Sequence, residues 1–158
     1  MAKIVNFQKL KKFLPREGKS RVVLTGGCFD ILHIGHVRFL SEAKKMGDFL
    51  VVLLESDEKV KKLKGESRPI FIQQERAEML SAIESVDLVV LLPMIENDSD
   101  YLNLVMEIKP DIIAVTENDP RIDKKRSQAK KVGGKVRVIS FIKTFSSSKL
   151  AKILGIGL

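Results

Sequence analysis

Two rhythms of apolar and polar residues alternate along this chain. Short runs rich in β-branched and apolar residues read as strands: Arg21–Thr25, Phe49–Leu54, Val86–Leu92, Asp111–Val115 and Lys135–Ile139. Between them lie segments with helical spacing. Ile34–Met46 is one, with Gly47 placed to end it, and Asp57–Leu63 is a short one, followed by a polar loop over Lys64–Pro69. Gln73–Ser85 puts Ala77, Leu80 and Ile83 on one side of a helix. Asp100–Ile108, Pro120–Val132 (stopped by Gly133–Gly134) and Ser146–Leu154 complete the set. Residues 1–14 carry Ile4, Phe7, Leu10 and Phe13–Leu14 at near-helical spacing, which predicts a helical arm over residues 1–20, with Pro15–Lys19 as linker. A single domain over residues 21–158 follows.

Strands that alternate with helices imply right-handed crossovers and a mostly parallel sheet. The expected fold is therefore α/β and doubly wound, with five strands. In such sheets ligands bind beyond the carboxyl ends of the strands, where strand order reverses. Chemistry is to be sought just after the strands.

Composition narrows the classes. At 158 residues the chain can bury a core without a metal or disulfide staple, and with Cys28 as its one cysteine it can form no internal disulfide. No apolar run approaches the length of a membrane span, and no signal-peptide pattern opens the chain, so a cytoplasmic protein is expected. The net charge is +8, carried by residues 1–20 at +5 and residues 121–137 at +7 over a mildly acidic remainder. Such segments either meet an anionic partner or are solvated helix faces. Low aromatic content, no tryptophan and no recognisable nucleic-acid motif argue against a dedicated nucleic-acid binder.

Both histidines lie in one stretch after the first strand, Gly26-Gly27-Cys28-Phe29-Asp30-Ile31-Leu32-His33-Ile34-Gly35-His36. Residues three apart on a helical turn share a face, and Gly35 lets a ligand approach the backbone. The helix start favours anions, and imidazole N–H groups beside it can stabilise charge developing on a phosphoryl group. Two histidines and one cysteine make a poor zinc site. No base triad surrounds Cys28, so it reads as a small packing residue and not a nucleophile.

This stretch, with its His-x-Gly-His core, resembles the signature of the cytidylyltransferase-like nucleotidyltransferases over roughly residues 21–154. Glycerol-3-phosphate cytidylyltransferase and the adenylyltransferase domain of ADP-heptose synthase are the branches most similar in pattern. The resemblance implies a Rossmann-like domain that transfers a nucleoside monophosphate from CTP or ATP to a phosphorylated acceptor, with release of pyrophosphate. It implies that His33 and His36 act on the triphosphate, with Gly27, Cys28 and Phe29 beside them. Lys62-Leu63-Lys64-Gly65-Glu66-Ser67-Arg68-Pro69 is similar to the family's lysine-bearing loop, most closely in its heptose branch. It implies Lys64 at the transition state and Lys62 as a supporting phosphate contact in the acceptor set. Arg76 matches an arginine used near the acceptor phosphate, and Asp30 joins the acceptor set. Ser146, Ser147 and Ser148 match a hydroxyl-rich helix start that touches the β- and γ-phosphates.

The resemblance further implies Mg²⁺ bound with the triphosphate, no protein-held metal, and a homodimer to which the apolar positions of residues 1–14 could contribute. Two departures leave specificity open. The turn after the fourth expected strand, Val115-Thr116-Glu117-Asn118-Asp119-Pro120, lacks the family's glycine, and Lys143-Thr144 stand where an arginine and a glycine are common. CTP and ATP both remain candidates. So do a sugar or polyol phosphate and a flavin or pantetheine phosphate as acceptor. A non-catalytic nucleotide- or RNA-binding module is the alternative to an enzyme.

Overall fold

A computed structural model describes residues 1–140 and 144–156. Six strands form one parallel sheet: β1 (Lys3–Asn6), β2 (Val22–Gly27), β3 (Phe49–Leu54), β4 (Leu88–Leu91), β5 (Ile112–Thr116) and β6 (Lys135–Ile139). Their order across the sheet is β1-β4-β3-β2-β5-β6. The helices are α1 (Ile34–Lys44), α2 (Asp57–Lys64), α3 (Gln73–Ser81), α4 (Asp98–Ile108), α5 (Ile122–Lys131) and α6 (Ser147–Ile153).

Side chains of each central strand alternate between two apolar layers. Val51 and Leu53 of β3 and Leu24 of β2 join a layer with Leu104, Val105 and Ile108 of α4 and Ala129 of α5. Leu50, Val52 and Leu54, with Val23, face the opposite way, onto Leu40 and Ala43 of α1 and Ala77 and Leu80 of α3. Helices therefore cover both faces, which is the doubly wound arrangement.

The expectations of five strands and of helical residues 1–14 are both corrected. Residues Lys3–Asn6 form a sixth strand, pairing β1 with β4 in register Lys3↔Leu88 to Asn6↔Leu91. A 3-10 helix over Phe7–Lys12 follows it. The i, i+3 spacing of Phe7, Leu10 and Phe13 suits a 3-10 turn as well as an α-helix, which is why the pattern misled. Leu10 is fully buried, and Phe7, Phe13 and Leu14 pack on the same layer. These side chains are used by the chain's own core and leave no free apolar stripe.

Strand order reverses at β2. From it the chain runs outward through β3 and β4, then returns to lay β5 and β6 on its other side. β2 pairs with β3 over six residues, but with β5 only at Val23↔Ile112 and Leu24↔Ile113. Beyond those pairs the two carboxyl ends separate, and a crevice opens at the place where strand order reverses.

Candidate active site

Two cavities flank the end of β2. The first, about 330 Å³, lies against α1 and α6, and the second, about 480 Å³, against α4 and α5. Thr25, Gly26, Gly27 and Cys28 line both, as do Thr116, Asp119 and Lys125. The strand end thus borders both chambers.

The histidines sit at the start of α1, on the first chamber. His33 is the N-cap residue, with extended backbone at φ −145° and ψ 170°. Its Nδ1 accepts from Gly35 N at 3.1 Å, and His36 Nδ1 accepts from His33 N at 3.4 Å. This reciprocal cap satisfies helix-start donors and uses Nδ1 of both rings as an acceptor. A neutral imidazole then carries its proton on Nε2, so each ring keeps one donor for a ligand. Burial first, then His33 and Lys64, push the His36 pKa down to about 4. Burial and Lys64 lower that of His33. Both rings are neutral donors at pH 7.

Phe29 and Gly35 set the rings in place. Phe29 adopts φ 45°, which a bulky residue rarely accepts, and its buried ring lies 5.3 Å from that of His36. A Cβ on Gly35 would come within 2.5 Å of Thr144 Cγ2 and 2.8 Å of His33 Cε1. Only glycine leaves room there for the His33 ring.

Lys62 lies in the helix expected for it, and Lys64, expected to open the following loop, instead ends that helix, α2. Ser56 Oγ caps the helix start by accepting from Lys59 N at 3.2 Å, and Gly65, at φ 104°, ends it. Residues two apart on a helix do not share a face. Lys64 turns inward, donating to Ser147 Oγ at 3.1 Å, and lines the first chamber. Lys62 turns outward and pairs with Glu96 at 2.7 Å. The helix therefore allows one of the two lysines to face the ligand. Among the serines, Ser146 caps α6 by accepting from Lys149 N at 3.2 Å, and Ser147 is buried. Both line the first chamber, whereas Ser148 is exposed and does not.

Arg76 and Asp30 are not brought to either chamber. Arg76 is 0% exposed. It donates to the carbonyls of Phe71 (2.9 Å), Cys28 (2.6 Å) and Glu55 (3.0 Å), and to Asp57 Oδ1 (2.6 Å). A guanidinium fork suits carbonyl oxygens as well as phosphate, and here it fastens the ends of β2 and β3 from behind. Asp30 is buried against the Arg68 guanidinium and accepts from Ile70 N at 2.7 Å. It ties the segment after α2 to the turn after β2. With Lys62, these are the residues that sequence reasoning placed at the acceptor, and the geometry gives them structural work. Burial, the largest cause, raises the Cys28 thiol above its usual range, which fits a packing residue at the strand end. Lys143 lies outside the described residues.

Sequence reasoning missed the second chamber. Among its polar residues, Glu55, Lys59, Asp98, Tyr101, Arg121 and Lys124 come from three separate stretches of chain. Glu55 directly follows β3, so the rule that ligands gather after strands could have found it. Several basic side chains of α5 and its N-cap are paired: Arg121 with Asp98 of α4 at 2.7 Å, Lys125 with Asp119 before the helix at 2.5 Å, and Arg126 with Asp123 at 3.1 Å.

The doubly wound sheet thus gathers neutral histidines at a helix start, an inward lysine and a hydroxyl-capped helix around one chamber of an α/β domain. The chain belongs to the cytidylyltransferase-like family of nucleotidyltransferases, whose family model matches residues 24–152. It is 48% identical over 111 residues to the bifunctional protein HldE of Campylobacter concisus, covering 70% of this chain and 23% of that protein. It is 41% identical over 143 residues to the bifunctional protein HldE of Nitratiruptor sp., covering 90% of this chain and 29% of that protein. The chain thus spans about a quarter of the length of the curated relatives it matches. Among solved structures, a lipopolysaccharide core biosynthesis protein from Thermoplasma volcanium is 31% identical with a TM-score of 0.64, over 80% of this chain and 99% of that one. A pantoate-beta-alanine ligase from Francisella tularensis, at 14% identity and a TM-score of 0.69 over 96% of this chain and 73% of that one, shares the fold. Among the described residues no helix is long and apolar enough to cross a membrane.

Proposed function

We propose that this chain transfers a nucleoside monophosphate from CTP or ATP to a phosphorylated sugar or polyol, releasing pyrophosphate. The observation that carries the reading is the pair of chambers sharing one border at Gly26–Cys28. A triphosphate in the first chamber meets the Nε2–H donors of His33 and His36, the Lys64 ammonium, and the Ser146 and Ser147 hydroxyls at the start of α6. An acceptor in the second chamber brings its phosphate over the same strand end from the opposite side. The acceptor oxygen attacks the α-phosphorus, the bond to the bridging oxygen breaks, and pyrophosphate leaves from the side opposite the attack. Positioning and electrostatic stabilisation do most of such chemistry. Neutral imidazole donors suit it, because they stabilise growing negative charge without a proton transfer.

The donors around the first chamber are N–H, hydroxyl and ammonium groups, which suit phosphate oxygens. Among the described residues no group of three or more His, Cys, Asp or Glu side chains is placed to hold a metal ion. This donor set fits Mg²⁺ carried by the triphosphate itself, where the ion would neutralise phosphate charge. The likeness to the two HldE proteins and to the lipopolysaccharide core biosynthesis protein supports a sugar phosphate as acceptor.

Pyrophosphate release, measured with CTP and with ATP against a panel of sugar and polyol phosphates, tests the reading. One triphosphate and acceptor pair is expected to turn over, and His36→Ala to cut that rate about 100- to 1,000-fold while leaving the fold intact. Full turnover in that variant would remove the histidines from the mechanism, and no turnover with any pair would remove the transfer reading.

A further inference from the structure

The second chamber holds a half-buried polar pair for which nucleotidyl transfer itself has no use. The Glu55 N–H donates to Gly27 O at 3.1 Å, so the residue is tied to the strand end that both chambers share. One of its carboxylate oxygens, Oε1, accepts from Tyr101 Oη at 2.8 Å. The other, Oε2, is buried and has no hydrogen-bond partner. A carboxylate oxygen in that state leaves free energy unclaimed until a donor reaches it.

Tyr101 is held in turn. The Lys59 ammonium lies 5.6 Å from its ring centre and the Arg121 guanidinium 5.4 Å, a favourable placing of cations on an aromatic ring. Lys59 is anchored by donating to Ile95 O at 2.7 Å, and Arg121 by donating to Asp98 at 2.7 Å. Glu55, Tyr101, Lys59 and Arg121 all line the second chamber, and none lines the first. The unfilled acceptor oxygen therefore belongs to the chamber opposite the histidines.

A ligand that completes this pair must carry a hydrogen-bond donor. Lys59, Arg121 and Lys125 already bear positive charge close to the Glu55 carboxylate. Arg121 and Lys125 are paired with Asp98 and Asp119, but the Lys59 ammonium is held by the neutral Ile95 carbonyl, so a further ammonium would meet its repulsion whereas a neutral hydroxyl would not. We propose that Glu55, held in place by Tyr101, reads a hydroxyl group of the acceptor and selects polyhydroxylated phosphate esters over plain ones. This rests on the reading of the second chamber as the acceptor's. Glu55 is a specificity residue here. It takes no part in the displacement at phosphorus.

The test compares the full chain with its Glu55→Gln, Glu55→Ala and Tyr101→Phe variants. The acceptors are mannose 1-phosphate and glycerol 3-phosphate, which carry hydroxyls, and propyl phosphate, which carries none. Wild type is expected to favour the hydroxylated esters. Glu55→Ala should lower kcat/KM on them about 100-fold, and Glu55→Gln and Tyr101→Phe about tenfold. All four proteins should treat propyl phosphate alike. Equal losses on all three esters, or no loss on any, would overturn the proposal while leaving the transfer reading in place. Calorimetric binding of mannose 1-phosphate separates the remaining outcomes. Binding that depends on Glu55 without turnover keeps the subsite and overturns the transfer reading, whereas neither binding nor turnover overturns both. Thermal unfolding is read for each variant. Tyr101→Phe, which keeps the ring and loses only the hydroxyl, carries the test if the Glu55 variants do not fold.

Discussion

Lys64 and Ser147 stand 83 positions apart in the chain, yet the Lys64 ammonium donates to the Ser147 hydroxyl at 3.1 Å. The bond joins the last turn of α2 to the first turn of α6 across the first chamber. It holds a cation and a hydroxyl where a triphosphate would take both. Lys64→Met is expected to lower turnover about 100-fold or more, because an ammonium aimed at developing phosphate charge acts chiefly in the transition state. Ser147→Ala should lower it about tenfold, the worth of one hydrogen bond to a charged group. The two losses should fall short of additivity in the double variant, since each residue orients the other. Steady-state pyrophosphate release for the four proteins gives the cycle.

His36 makes the fold sensitive to acid. Its pKa falls from an ordinary 6.5 to about 4 on folding, through burial first. Between those values the unfolded chain binds more protons than the folded one, so stability rises with pH there. The contribution is fully present above pH 6.5 and is lost as the pH falls towards 4. The span corresponds to about 3 kcal/mol. Denaturant unfolding at pH 7 and pH 4.5 should show the loss in wild type, and a smaller one in His36→Gln. NMR titration of the ring should find it neutral throughout the physiological range.

Arg76 is expected to act on stability more than on acceptor affinity. Its guanidinium serves three backbone carbonyls and Asp57 without exposure to solvent. Arg76→Met would leave those oxygens without donors, at a cost of about 3–5 kcal/mol. Chemical denaturation measures that loss. A variant that kept wild-type stability and lost only acceptor affinity would return Arg76 to the acceptor site.

What the sequence made legible was local. The runs Phe49–Leu54 and Lys135–Ile139 match β3 and β6 residue for residue, since each is bounded by residues that stop a strand. The His-x-Gly-His stretch stood out as a candidate site because both histidines fall together at the start of one helix. Residues Lys3–Asn6 were not legible as a strand. Four residues are too few to show a period of two, and their partner β4 lies more than eighty positions away. The second chamber was hidden for a similar reason: Glu55 and Tyr101 meet only because the sheet brings β3 and α4 together. Arg76 was legible as an arginine with a purpose, but residue type alone does not distinguish a phosphate from three carbonyl oxygens.

The border that the two chambers share at Gly26–Cys28 has a kinetic consequence for the proposed transfer. Substrates seated in the two chambers would not compete for room, so both would be resident when the phosphorus changes hands. No covalent carrier is then required between them. Double-reciprocal plots at several fixed levels of the second substrate would intersect rather than run parallel, the pattern of a direct displacement inside a ternary complex.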